Sequence, residues 1–496
     1  MHVFVQAASP WLDEHLRRFI RKHVPESVFY DDFDDFPKDA KTTFQFCDGW
    51  ALNRNFAVVN SADKALINAY PSSDALARKD YLSRVVEYWT AKTPDSILKT
   101  HSPLTVRLSL DYAEYVDEAL TAADDLTLLY SLEENENKPP EEREWWILKP
   151  ALVDCGAGIR LFSTLEELAS HLELAEYEDD DEDDDDDDDN DESDGVLGRE
   201  ETRSSGKPTP DSELDTTNEP SPCLAFPILN SLDGLVTAVG DMKLDAAPLG
   251  AVRAPKKQPY VFKEGGRIPS SEMREFVAQR YITAIAALEK RKWHVRAYVL
   301  SIGRLKVHVF NEMLALLALE DYEPPWLNPS LKSSLTNTGL QDEEDFLRMG
   351  SMRDFWAIPD DLLPGDAKEG KTWKECVFDQ ICNVSAELFR GAAHTMADKF
   401  TTLDKCFELF GVDFLVDEDG TAWLLEVNES PAFYHQGVAG PIALRLMESL
   451  ILVALEHMGL VPPGETENEA VRKRMIEVLD ETNKLAKSNI TEITPE

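Results

Sequence analysis

Apolar residues alternate with polar ones in HVFVQA (2–7), then recur every three or four positions in WLDEHLRRFIRKHV (11–24), a strand followed by an amphipathic helix. TTFQFCDGWA and KDYLSRVVEYW repeat that alternation, which predicts a small α/β unit over residues 1–100. SPLTVRLSLDYAEYVDEAL opens a second unit, and EENENKPPEERE (133–144) interrupts it. WWILKPALVDCGAGIRLF then reads as strand, glycine-containing loop and strand. In STLEELASHLEL, Ser163 or Thr164 is placed as N-cap, with Glu166 or Glu167 near the third helical position. Beyond residue 275 the strand-like runs are FVAQRYI, KRKWHVRAYVL and RLKVHVFNEMLALLAL. Helical periodicity covers 371–398, and PIALRLMESLILVALEHMG (441–459) reads as a buried helix. The tail from about residue 465 is expected as a charged surface helix.

Between these patterns lies a segment of different character. From 176 to 222 the chain is acidic, then rich in Ser, Thr, Pro and Glu, a composition that buries too little apolar surface to order itself. It is expected as a disordered insertion within one domain, because the runs that flank it belong together. The domain plan is therefore an N-terminal α/β unit (1–100), a central unit in two parts (101–175 and 223–300), a C-terminal unit (301–464) and a tail (465–496). The formal net charge is −44, of which 178–194 carries fifteen acidic residues in seventeen. That balance argues against DNA or RNA as the main ligand, since phosphate backbones need a basic footprint. The six cysteines (47, 155, 223, 376, 382, 406) lack metal-binding spacing. No apolar run approaches a membrane span and no signal-peptide pattern opens the chain, so a cytoplasmic protein is expected.

The stretch LLEVNESPAF (424–433) buries aliphatic residues yet carries Glu426 and Asn428 two positions apart, on one face of a strand. Upstream, FELFGVDFLVDEDGTAWLLEVNES has two apolar runs around Asp419-Gly420, a signal for a two-residue hairpin turn. That register sets Asp413 opposite Glu426, with Cβ atoms about 5 Å apart. A four-residue loop makes the pair diagonal on the same face. Facing carboxylates repel unless a divalent cation lies between them, and Asp413, Glu426 and Asn428 are the candidate ligands. The alternative is a polar strand face in water.

Three further features suit a polyphosphate. Lys149 closes a strand just before small residues, where the N–H groups of Gly156 to Gly158 can cradle phosphate oxygens. FVAQRYI can present the backbone of Gln279, Arg280, Tyr281 and Ile282 to a base edge. KWHVR aims Lys292, His294 and Arg296 one way, with Trp293 and Val295 on the opposite face.

In this order, WILKPA…GAGIRLF, VAQRYI, KWHVR, SLTNT and FELFGVDFLVDEDGTAWLLEVNESP resemble the tubulin–tyrosine ligase-like family of ATP-grasp ligases, over residues 50–460. Within it the likeness is to fungal P-body-associated members. The resemblance implies an α/β ATP-grasp fold, ATP and Mg²⁺ as cofactors, and transfer of an amino acid to a protein acceptor such as tubulin. Lys79, Lys149, Lys292 and Asn337 are then expected at the phosphates and Gln279 to Ile282 at the adenine. Asp413, Glu426 and Asn428 are expected on Mg²⁺, and Arg296 as the catalytic charge. Three positions depart from the family: His294 replaces an aspartate, Arg280 a lysine, and Asn311 and Leu316 stand where an arginine often grips the incoming amino acid. A second expectation follows, an ATP-binding scaffold that meets mRNA-decapping factors in P-bodies.

Overall fold

A computed structural model describes residues 1–7, 9–47, 50–110, 115–152, 158–170, 275–328, 331–336, 350–366, 369–464 and 466–482. The strands among them are β1 (His2–Gln6), β2 (Val28–Tyr30), β3 (Thr42–Cys47), β4 (Lys64–Asn68), β5 (Thr105–Ser109), β6 (Trp146–Pro150), β7 (Arg160–Phe162) and β8 (Glu275–Arg280). They continue with β9 (Arg291–Ile302), β10 (Lys306–Phe310), β11 (Leu314–Asp321), β12 (Met352–Asp354), β13 (Cys406–Val416), β14 (Ala422–Asn428) and β15 (Met475–Asp480). The acidic insertion lies between β7 and β8, outside the described residues.

Two sheets result. The larger follows the order β12-β11-β9-β13-β4-β3-β1-β2, with β10 and β15 continuing from β9 and β14 paired to β13. The smaller is β5-β8-β6-β7, antiparallel throughout. β9 and β13 form the spine of the large sheet, because their alternating residues feed two cores at once. Val295, Ala297, Val299, Phe410, Val412 and Phe414 enter the core beneath the helix α3 (Trp373–Thr395). Tyr298, Leu300, Phe407 and Leu409 enter the other, beneath α1 (Pro10–His23) and α4 (Ala439–His457). The caps follow from local chemistry. Ser9 accepts the Leu12 N–H before α1, with Pro10 in the first turn. Thr372 and Glu375 form a reciprocal capping box before α3.

Some boundaries differ from the expected plan. β4 pairs in parallel with β13 through Ile67 and Asn68, so the N-terminal α/β unit shares the large sheet. The expected boundary at residue 300 falls inside β9, which pairs with β11 and β13 rather than with the small sheet. The tail is not one surface helix. After a single turn over Glu469–Arg472 it forms β15, which pairs with β10, and Glu481 is buried against Arg390 and His394.

Candidate functional site

The β13–β14 hairpin closes through Asp417 and Thr421, with the Asp417 N–H donating to the Thr421 carbonyl. The loop between them has three residues, not two, and Gly420 takes φ +80° as the left-handed position of such a loop requires. The Asp417 carboxylate holds the tip by accepting from the N–H groups of Asp419 and Thr421 and from the Trp423 indole. The longer loop shifts the register near the tip by one residue, pairing Phe414 with Leu424. A β-bulge at Leu425 then restores it, and Asp413 lies opposite Glu426. The bulge also explains the apolar spacing of β14, where Ala422, Leu424 and Val427 all enter one core. Glu426 and Asn428 thereby leave that core for the face of Asp413.

On the other side of β13, Arg296 of β9 is the registered partner of Asp413. Its Nε and Nη2 donate to Asp413 Oδ1 and Oδ2 at 2.5 and 2.9 Å. Gly411 makes this reach possible, since a Cβ there would lie 3.1 Å from Arg296 Cδ and 3.0 Å from Pro431 Cβ. Burial opposes the charges of both partners, but each stabilises the other. Arg296 is held above its ordinary value, and Asp413 lies below the carboxylate range with His294 and Glu426 contributing. Asn428 Nδ2 approaches Asp413 Oδ2 at 3.3 Å. His294 lies two residues before Arg296 on the same face. Its Nδ1 meets Thr336 Oγ1 at 2.5 Å, and its Nε2 lies 3.6 Å from Asp413 Oδ1.

The smaller sheet supplies the opposing charge. Lys149 on β6 donates from Nζ to Gln279 Oε1 on β8 at 2.8 Å. Burial lowers its ammonium to about 8, with Lys79 and Lys292 pushing the same way and Glu426 and Asp413 opposing. Lys292, buried on β9, has its Nζ 3.9 Å from the centre of the Tyr281 ring, and burial lowers it to about 7. Lys79 begins the helix α2 (Lys79–Lys92), which its N–H anchors to the Ala151 carbonyl. Beside them Trp145, Ile147, Ile159, Leu161 and Tyr281 form a separate apolar cluster, packed by Trp326, Leu331 and Leu335.

The structure thus gathers Lys149, Lys79, Lys292, Glu426 and Asp413 within electrostatic reach of one another, with Gln279, Tyr281, Arg296 and Asn428 each in contact with a member of that group. Gly158 takes φ +68° ahead of β7. Gly156 and Asn337 lie outside the described residues. The expected hinge amides need one correction. The N–H groups of Arg280 and Tyr281 are committed to the carbonyls of Leu104 and Trp145, and the Arg280 side chain pairs with Glu144. Neither amide is free to read a base edge; Ile282 follows them, half-buried. Leu316 is registered opposite His294 and buried, so an aliphatic side chain occupies that place in the row. Sequence reasoning missed Thr336 and Gly411, although Thr336 adjoins the singled-out Asn337.

The donors fit a hard divalent cation. Two facing carboxylates and a carboxamide supply oxygen ligands, and Arg296 occupies only part of the Asp413 lone-pair capacity. Among the described residues, no group of three or more His, Cys, Asp or Glu side chains is placed so that it could hold a metal ion by itself. Asn428 and phosphate oxygens would have to complete the coordination. Also among them, no helix is long and apolar enough to cross a membrane.

Comparisons with known proteins identify the family and the fold. Residues 59–189 and 253–469 match the model of the tubulin-tyrosine ligase family. A probable tubulin–tyrosine ligase of Schizosaccharomyces pombe is 35% identical over 370 residues, covering 74% of this chain and 72% of that protein. The probable tubulin–tyrosine ligase PBY1 of Saccharomyces cerevisiae is 27% identical over 439 residues, covering 85% of this chain but only 47% of that protein. The crystal structure of the C-terminal domain of K. lactis Pby1, an ATP-grasp enzyme interacting with the mRNA decapping enzyme Dcp2, superposes with a TM-score of 0.57. At 22% identity it covers 97% of this chain and 99% of that domain, and establishes the ATP-grasp fold. By sequence and by architecture, this chain belongs to the tubulin–tyrosine ligase family.

Proposed function

We propose that this protein is an ATP- and Mg²⁺-dependent carboxylate–amine ligase that adds an amino acid to a protein acceptor. One observation carries the reading. Glu426, Asp413 and Arg296 are successive register partners across β14, β13 and β9, in a cleft that also holds the buried Lys149 and Lys292. Such a row suits a triphosphate that must be gripped by ammonium groups and neutralised at its reacting end. Lys149 and Lys292 bind the phosphates, and the apolar bed around Ile147 and Tyr281 receives the base. Arg296 stabilises charge on the phosphoryl group as it passes to an acceptor carboxylate, giving an acyl phosphate that an amine displaces to form the amide. When bound at Asp413, Glu426 and Asn428, Mg²⁺ would neutralise β- and γ-phosphate charge.

Incorporation of labelled amino acids into tubulin and into whole-cell extract, with ATP and Mg²⁺ supplied, tests this. Clear ATP binding without incorporation would favour a second reading, a nucleotide-binding scaffold for mRNA-decapping factors in cytoplasmic P-bodies. Two observations support that alternative: the buried Leu316 beside His294, and the Dcp2 interaction described for K. lactis Pby1.

A further inference from the structure

We propose that the Tyr298 hydroxyl binds the acceptor carboxyl group, donating a hydrogen bond to the oxygen that becomes the carbonyl oxygen of the acyl phosphate. The inference rests on the ligase reading of the cleft and adds to it the place where the acceptor sits.

The side chains on one face of β9 mark out the length of the cleft. Lys292 lies against the Tyr281 ring, at the end assigned to the base. His294 and Arg296 follow on the same face at intervals of about 7 Å, and Tyr298 stands about 7 Å beyond Arg296. There the polar row ends, because Leu300 and its register partner Leu409 enter the core beneath α1 and α4. Tyr298 thus closes the end of the cleft opposite the base. In phosphoryl transfer the attacking and leaving oxygens lie roughly in line, so the acceptor approaches the terminal phosphorus from the side away from the nucleotide. Tyr298 is the β9 residue on that side.

The residue presents a single polar atom there. Its ring belongs to the core and stacks on Phe433, with 5.9 Å between centres and 23° between planes. Only 3% of the residue is exposed, and among the described residues no hydrogen bond engages its hydroxyl. That oxygen is not sealed from solvent, and the phenol lies within electrostatic reach of Arg296, Asp413 and Tyr434. A tyrosine at the edge of a core commonly keeps its ring dry and offers its hydroxyl to a partner. Burial pushes the phenol up to about 12, so it is a donor at neutral pH.

The chemistry needs a donor at this point. One acceptor oxygen attacks the γ-phosphorus, the bond from that phosphorus to the β-phosphate oxygen breaks, and ADP leaves. The other acceptor oxygen becomes the acyl-phosphate carbonyl and takes negative charge when the amine adds to the carbon. Collapse expels phosphate, and the amine gives up its proton to water. A hydrogen bond from Tyr298 to that second oxygen orients the carboxylate in the first step and stabilises the oxyanion in the second.

Tyr298→Phe removes one oxygen and keeps the ring that stacks on Phe433. Incorporation of labelled amino acids by the full-length protein is followed over dilution series of tubulin and of whole-cell extract at saturating ATP and Mg²⁺, beside an ATP titration of each protein. Turnover should fall about 10²- to 10³-fold while ATP affinity is unchanged. Amide formed per ADP released should also fall, because an acyl phosphate that waits longer is lost to water; a merely structural residue would lower both products alike. Turnover and coupling equal to wild type overturn the proposal and leave the ligase reading standing. Loss of ATP affinity in step with turnover overturns it too, since Tyr298 would then serve the fold. Absence of incorporation by wild type overturns the ligase reading, and the proposal with it.

Discussion

Arg296 and Asp413 face one another on neighbouring strands and are joined by two hydrogen bonds, so the cleft's buried carboxylate and its guanidinium are one electrostatic unit. Neither can be removed without changing what the other is.

Replacing Arg296 with alanine is expected to act on stability as well as on chemistry. Asp413 would be left buried and unpaired, a loss of about 3–5 kcal/mol for pairs of this kind. Thermal unfolding should show a clear fall, and Arg296→Ala combined with Asp413→Asn should recover part of it. Turnover should fall roughly 10²- to 10³-fold, and the double variant should not restore it. Single-turnover incorporation beside nucleotide titration separates the two effects. Incorporation that survives Arg296→Ala unchanged would place the catalytic charge elsewhere.

Glu426→Gln should act on the loaded protein. With Mg²⁺ it should remove the metal-dependent part of ATP affinity. Calorimetric titrations with and without Mg²⁺ read this directly. An equal metal effect in both proteins would rule out Glu426 as a ligand.

Nucleotide binding should take up protons. Lys149 titrates at about 8 and Lys292 at about 7, against an unfolded value of about 10.4. Between those values the unfolded chain holds more protons, so these two lysines make the empty fold more stable as pH rises from about 7 to 10.4. A bound polyphosphate favours their charged forms, so ATP affinity should fall over the same range. Uptake at pH 8 should be on the order of one proton per nucleotide. Titration calorimetry in buffers of different ionisation heat measures it, and Lys149→Met should reduce it. Binding heats independent of buffer would contradict the assignment.

Removing residues 190–222 should leave melting temperature and ATP affinity unchanged. This stretch falls within the low-apolar insertion and in the gap between the two family-matched segments. Thermal unfolding and nucleotide titration of the deletion check it, and a large drop in either would show that the segment packs on the body.

Much of the cleft could be read from residue order, because strand alternation places Lys292, His294 and Arg296 together without knowledge of the sheet. The hairpin shows where that reading met its limit. A two-residue turn predicted the Asp413–Glu426 pair by a simpler path than the chain takes, through a three-residue loop and a compensating bulge. The clue was the apolar spacing 422, 424, 427, which breaks the period of two. Contacts from distant segments were not legible. Nothing near Gly411 reveals that Arg296 lies across it, and nothing near residue 475 shows that the tail would find β10. The hinge amides were misjudged for the same reason, since their partners Leu104 and Trp145 come from elsewhere in the chain.

Lys149 and Lys292 belong to different sheets, β6 in the small one and β9 in the large one, yet Lys149 feels the charge of Lys292. Glu426, also on the large sheet, pulls on the same ammonium, so Lys149 is attracted and repelled across the two sheets at once. A bound polyphosphate would add attraction for both ammonium groups. An anion between the two lysines would cancel their mutual repulsion.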